Sequence, residues 1–170
     1  KWTPDDGGVA QDLIDAVRQN KLVVPASLLI RSHFSDSAKR RFDSLADKQT
    51  IFIDRNYTFC DFFRDNWNPT VEETILFTNT IYHSDAIISL CSTLALDALC
   101  ADRPIINTAY KNYRDSRGRD VSHLSYKRDF YAPLLEEGAI DLVKSREELV
   151  AALNRCLSDA AYKRENRARA

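Results

Sequence analysis

Short apolar runs alternate along the chain with segments of helical periodicity. The runs predict strands at 27–31, 50–53, 86–90, 105–108 and 140–143. Helical spacing predicts helices at 9–20, from 70 to about 83, and from 145 past 157, the last opened by a capping box of Ser145 and Glu148. Parallel strands need crossover connections, which helices supply. We therefore predict an α/β fold, a doubly wound and mostly parallel Rossmann-like sheet with helices on both faces.

The length of 170 residues suits one domain. We predict a single Rossmann-like nucleotide-binding domain over residues 1–160 and a basic helical tail over 161–170. The chain starts at Lys1 without Met and contains no Met. From this we expect that sequence before Lys1 belongs to the same protein.

The charge balance excludes one large class of function. Lys and Arg total 24 against 25 Asp and Glu, so the net charge is −1, whereas a nucleic-acid binder driven by phosphate neutralisation would be clearly basic. No apolar stretch approaches the roughly 18–20 residues that cross a membrane, and no Cys-x-x-Cys pair occurs. We expect a cytoplasmic protein without a membrane span, with peripheral attachment at the membrane as an alternative.

Familiar cofactor motifs are missing from the sequence. It contains no Gly-x-Gly-x-x-Gly fingerprint, no P-loop and no His/Cys cluster with metal-ligand spacing. We therefore predict no cofactor and no metal ion.

The unit from 84 to 108 reads as strand, turn, helix, turn and strand, and its first turn carries hydroxyls instead of glycines. Ser92 and Thr93 follow the first strand, at the position where ligands bind in such units. Hydroxyls and free N–H groups at the start of a helix suit a phosphate, and a carboxylate one turn later, Asp97, suits a ribose diol. The alternative is that Ser92 only caps the helix and that Asp97 is a solvated residue.

A second group of candidate residues follows the strand at 27–31. Arg31 and His33 leave that strand together and form an electropositive corner suited to a diphosphate. A surface arginine and a structural histidine are the alternative. The aromatic run at 57–67 suits either packing or stacking on a base.

Three segments together resemble the nucleotide-binding signature of GT-B glycosyltransferases. They are Ser84–Ser89, Ser92–Leu99 and Arg103–Ile106, and the variant with Asp97 looks most like the CDP-glycerol glycerophosphotransferase and capsular polysaccharide transferase group. The segment Leu29–His33 is similar to the basic-x-His segment of that group, although Ser32 and Phe34 stand where the group tends to have prolines. The resemblance covers about residues 27–157.

The resemblance implies the C-terminal, donor-binding half of a GT-B fold. Ser92 and Thr93 would hold the donor diphosphate, Asp97 the ribose hydroxyls, and Arg31 with His33 the phosphates of the leaving nucleotide. The implied substrate is a nucleotide-diphosphate donor, a nucleotide-activated sugar or alditol used in surface polysaccharide synthesis. The catalytic base is not identified.

Several expectations about partners and activity accompany this resemblance. The N-terminal acceptor domain would lie outside this chain, which alone would be inactive. A sugar-nucleotide epimerase of the same fold and a non-catalytic nucleotide-binding module are the alternatives.

Overall fold

Helices and short strands alternate in the computed structural model, which describes residues 3–4, 6–33, 40–47, 49–55, 68–127 and 131–170. The strands are β1 (Thr3–Pro4), β2 (Leu28–Arg31), β3 (Ile51–Asp54), β4 (Ile87–Ser89), β5 (Ile105–Thr108), β6 (Tyr113–Arg114) and β7 (Ile140–Val143). The helices are α1 (Gly7–Arg18), α2 (Val71–Tyr82), α3 (Leu94–Cys100), α4 (Ala132–Glu136), α5 (Arg146–Ser158) and α6 (Arg164–Arg169). The aromatic run at 57–67 lies outside the described residues.

The chain divides into two units. The first consists of Lys1–Pro25 with Ile81–Ala170, and the second of Ala26–Thr80. The described strands form three hydrogen-bonded sheets, in the orders β1-β6, β2-β3 and β4-β5-β7. The predicted α/β class and the parallel strand pairing are confirmed, and the doubly wound arrangement in one sheet stays a prediction.

Strand β5 is the centre of the first unit. It pairs in parallel with β4 on one side, with Ser89 opposite Asn107, and with β7 on the other. All four of its residues are buried, as expected for the central strand of a parallel sheet. The predicted βαβ unit is therefore present as β4, α3 and β5.

Two features explain how helices cover this sheet. Helix α3 turns Ala95 and Ala98 inward, both fully buried, and these small side chains let the helix approach the strands closely. Helix α5 packs on β5 and β7 and begins at Ser145, whose hydroxyl accepts the Glu148 N–H at 3.2 Å. In a capping box the Glu148 carboxylate would accept the N–H of Ser145. Here it accepts the N–H of the preceding residue, Lys144.

A buried carboxylate, that of Asp12, links helix α1 to the rest of the first unit. Asp12 is 5% exposed, and its carboxylate accepts from the Lys111 ammonium at 3.0 and 3.2 Å. On the same helix Val9, Leu13 and Ile14 are buried. Asp15 on this helix also pairs with Arg146 at 3.5 Å, so an apolar face and two ion pairs among the described residues hold the helix.

The tail at 161–170 is tied to the end of α3. It contains α6, whose Arg167 side chain is 1% exposed and lies 2.8 Å from Asp102. Arg167 also donates to the Tyr162 carbonyl. At the surface of the same helix, Arg169 pairs with Glu137 at 3.1 Å. Arg164, which is also exposed, pairs with Asp102 at 3.1 Å, so one buried and two exposed arginines anchor this segment.

The second unit contains the parallel pair β2-β3, with Arg31 opposite Asp54 in register. The turn before β3 is stabilised by Asp47, whose carboxylate accepts the N–H groups of Thr50 and Ile51, both at 2.8 Å. These bonds hold the pKa of Asp47 well below its usual range. Helix α2 opens on a reciprocal capping box, in which Thr70 and Glu73 exchange hydrogen bonds of 2.8 and 3.1 Å.

We predict that Arg167→Ala destabilises the first unit far more than Arg169→Ala does. Removing Arg167 deletes the hydrogen bonds of a buried guanidinium to the half-exposed Asp102 carboxylate and to the Tyr162 carbonyl, so the free energy of unfolding should fall by about 1–3 kcal/mol. Arg169 forms an exposed pair, and its removal should cost about 0–1 kcal/mol. Urea denaturation of both variants measures the difference. Equal losses would show that the buried pair does not anchor the tail.

Candidate functional site

The candidate site is the loop between β4 and α3, residues 90–93, at the carboxyl end of the parallel strands. Ser92 and Thr93 lie in this loop, and Asp97 lies one turn into α3. The structure therefore keeps these three predicted residues within one βαβ unit. Ligands of parallel α/β sheets bind at this edge.

Asn107 holds the start of the loop. Its side chain is fully buried, and its Nδ2 donates to the Ser89 Oγ at 2.8 Å and to the carbonyl oxygens of Ser89 and Leu90 at 3.2 Å. Asn107 Oδ1 is buried without a hydrogen-bond partner among the described residues. The Asn107 amide group thus donates to three acceptors at the end of β4, and these bonds fix the path of the chain into the loop.

Tyr131 holds the other end of the loop. Its hydroxyl accepts the Ser92 N–H and donates to the Ser92 carbonyl, both at 2.8 Å. The residue is fully buried, and its ring packs edge-on against Tyr126 with centroids 5.4 Å apart. Between the two anchors, the Cys91 thiol donates to the Ser125 carbonyl at 3.0 Å. Buried side chains therefore position the loop from both sides.

The outward-facing donors are fewer than the sequence suggested. Ser92 Oγ accepts the Leu94 N–H at 3.3 Å, so its own proton is left to donate elsewhere. Thr93 is exposed, and its hydroxyl makes no capping bond within the part of the chain that the structure describes. Helix α3 has seven residues, which is too short for its macrodipole to carry an anion site. The loop offers two hydroxyls and the Thr93 N–H, since Tyr131 occupies the N–H of Ser92.

Asp97 lies at the surface of α3, and its backbone N–H donates to the Thr93 carbonyl at 3.3 Å. Partial burial raises the pKa of its carboxyl, because desolvation disfavours the ionised form. Because solvent still reaches Asp97, the raised pKa of its carboxyl changes the stability of the fold only slightly. A surface carboxylate one turn beyond Thr93 can accept hydrogen bonds from a diol.

Comparisons of this chain with protein-family models, curated proteins and solved structures found no match.

Arg31 and His33 belong to the second unit. Arg31 is held by Asp54, with a contact of 2.8 Å to a carboxylate that is 5% exposed, and it lies over the Phe77 ring at 5.0 Å. This ion pair was not predicted, because it depends on the register of β2 against β3. His33 is exposed and follows β2 by two residues.

A separate groove of about 490 Å³ lies at the opposite edge of the sheet in the first unit. The C-terminal ends of α2 and α5 border it through Tyr82 and Leu157, and the segment that follows α3 borders it through Arg103. Its lining includes Asp85 and Asp102 as well as Arg103 and Arg164, so the charge of the groove is mixed and does not single out an anion. We place the candidate site at the β4–α3 loop, because it lies at the carboxyl edge of the parallel strands, where ligands of such sheets bind.

Two further findings concern ions and membranes. Within the described ranges, no group of three or more His, Cys, Asp and Glu side chains could hold a metal ion. In the same part of the chain, every helix is too short or too polar to cross a bilayer.

Asn107 and Tyr131 are the positions whose roles sequence reasoning missed. An asparagine directly after two isoleucines in a predicted buried strand was an available signal, because a buried amide needs partners. Tyr131 carried no such signal, since its partner Ser92 lies 39 residues away.

We predict that Asn107→Asp destabilises the protein at neutral pH by about 2–4 kcal/mol. The introduced carboxyl would face carbonyl oxygens in a buried site, which raises its pKa above the unfolded value. Above that raised pKa the buried carboxyl is charged in the folded protein, and the full loss in the free energy of unfolding is reached. The loss disappears as the pH falls below the unfolded pKa of about 4. Urea denaturation at several pH values measures this recovery.

The control is Asn107→Leu, which removes the donors but introduces no titratable group. Its loss relative to the wild type should not change with pH. If Asn107→Asp and Asn107→Leu show the same pH dependence, the amide does not face the carbonyl oxygens of the loop.

Proposed function

We propose that this chain carries the donor-binding domain of a glycosyltransferase or glycerophosphotransferase of surface polysaccharide synthesis. The donor would be a nucleotide-diphosphate derivative of a sugar or alditol. The observation that carries the proposal is the β4–α3 loop, where the hydroxyls of Ser92 and Thr93 and the Thr93 N–H are available at the ligand-binding edge. Asp97 follows one turn later.

The donor set of this loop suits a phosphate. All three groups are neutral hydrogen-bond donors, and a phosphate presents only acceptor oxygens. Hydrogen bonds to a charged acceptor are roughly twice as strong as neutral ones. Because buried side chains already hold the loop, little ordering remains to be done when the anion binds. Asp97 supplies the complementary acceptor for ribose hydroxyls.

The same donors would serve the transfer step. In glycosyl transfer, an acceptor oxygen forms a bond to the anomeric carbon, and the bond from that carbon to the diphosphate oxygen breaks. The leaving oxygen keeps the electron pair, and the acceptor proton passes to a base. Donors near the leaving diphosphate stabilise this developing charge.

The proposal assigns a second contribution to Arg31 and His33, following the resemblance. These residues belong to the other unit, and Arg31 is already paired with Asp54. Their part in donor binding stays a prediction, and the proposal depends on the loop of the first unit alone.

Isothermal titration calorimetry with UDP, CDP, GDP and CMP tests the proposal. We expect at least one nucleoside diphosphate to bind the 170-residue chain. The variant Ser92→Ala/Thr93→Ala should weaken that binding by at least tenfold, since each lost hydrogen bond to a charged group is worth roughly 1.5–3 kcal/mol.

Thr78→Ala is the control, because it removes an exposed threonine hydroxyl from α2 in the second unit. It should leave the affinity unchanged. The proposal fails if none of the three nucleoside diphosphates binds, or if the double variant binds as tightly as the control.

A further inference from the structure

The Tyr131 hydroxyl makes two hydrogen bonds to the backbone of a single loop residue. It accepts from the N–H and donates to the C=O of the same residue, Ser92, at 2.8 Å in both cases. A hydroxyl can act in both senses at once, whereas a phenylalanine at this position could do neither. This pair of bonds fixes the orientation of the peptide groups on both sides of Ser92.

The polar groups of the loop therefore fall into two sets, those bonded inside the protein and those left available to a ligand. The N–H of Ser92 is turned inward to Tyr131, and the carbonyl of Ser92 is shared between Tyr131 and the Ala95 N–H at 3.2 Å. The Ser92 hydroxyl proton and the polar hydrogens of Thr93 stay available on the outside. An unclamped Ser92 would be free to rotate its N–H outward and to change this arrangement.

We propose that Tyr131 is the positioning residue of the phosphate site, acting through Ser92 and touching no ligand itself. This inference rests on the proposed function and deepens it, because it specifies the donors that meet a nucleoside diphosphate. They are the Ser92 hydroxyl, the Thr93 hydroxyl and the Thr93 N–H. The N–H of Ser92 is excluded from the set.

Tyr126 offers a matched comparison within the same fold. Its hydroxyl is also buried and donates to a backbone carbonyl, that of Thr108, at 2.8 Å. Burial raises the pKa of Tyr126, so this phenol stays protonated as a donor. Tyr126 bonds the end of β5 and not the β4–α3 loop. Loss of its hydroxyl therefore reports the structural cost of removing a buried phenol group.

The experiment measures nucleoside diphosphate affinity and thermal stability for Tyr131→Phe and Tyr126→Phe. We expect both variants to lose stability, and Tyr131→Phe to lose more, because it removes two hydrogen bonds and Tyr126→Phe removes one. The affinity should fall about tenfold or more for Tyr131→Phe, because small displacements of positioned donors are costly. It should change less than about twofold for Tyr126→Phe. In a Ser92→Ala background, Tyr131→Phe should weaken binding by less than it does in the wild type, since one of the positioned donors is already absent.

Three outcomes separate the possible failures. If the wild type binds a nucleoside diphosphate and Tyr131→Phe binds it equally well, this inference is overturned while the proposed function stands. If Tyr131→Phe adds its full effect in the Ser92→Ala background, the Ser92 hydroxyl is not one of the donors that Tyr131 positions, and the donor set proposed here is overturned. If the wild type binds none of UDP, CDP and GDP, the proposed function fails and this inference fails with it.

Amide hydrogen exchange of the wild type keeps the inference testable even if Tyr131→Phe does not fold. The Ser92 N–H should exchange slowly with or without nucleotide. The Thr93 N–H should exchange fast in the free protein and slow down when a nucleoside diphosphate binds. Fast exchange at Ser92, or protection by nucleotide at Ser92 instead of Thr93, would overturn the inference.

Discussion

Strand β5 is buried along its whole length, yet it ends in two polar residues, Asn107 and Thr108, which are both fully buried. A buried polar group without a partner costs about 1–3 kcal/mol, so both residues must find hydrogen bonds inside the protein. Asn107 donates to groups at the end of β4. The Thr108 hydroxyl donates to Asn112 Oδ1 at 2.8 Å, and the Thr108 carbonyl accepts from the Tyr126 hydroxyl. The hydrogen bonds of Asn107 shape the β4–α3 loop at the ligand-binding edge of the sheet.

This requirement connects packing with the proposed chemistry. The Asn107 amide determines how the chain leaves β4, and Tyr131 determines how it enters α3. Between these anchors, Ser92 and Thr93 keep their hydroxyl protons for an external acceptor. A loop that is rigid without glycine can present donors to a phosphate at little entropic cost. The phosphate site proposed here thus depends on fixed donors instead of flexible backbone.

Local patterns predicted much of the fold. The strand runs around β2, β3, β4, β5 and β7 and the cap at Ser145 were predictable, because each depends on residues close in sequence. The order of strands around β5 and the ion pair of Arg31 with Asp54 were not, since both depend on which strands pair and in which register. Hydrogen bonds across long separations, such as that of Tyr131 with Ser92, lie beyond any local pattern. For the site, the sequence identified the hydroxyls but not the side chains that hold them.

The most direct test of the central claim is a ¹⁵N–¹H NMR titration of the 170-residue chain with CDP and UDP. We predict that the largest amide shift changes occur at Thr93 and its neighbours as far as Asp97, with smaller changes elsewhere. Changes centred on the groove around Tyr82 and Arg103, with Thr93 unmoved, would contradict it.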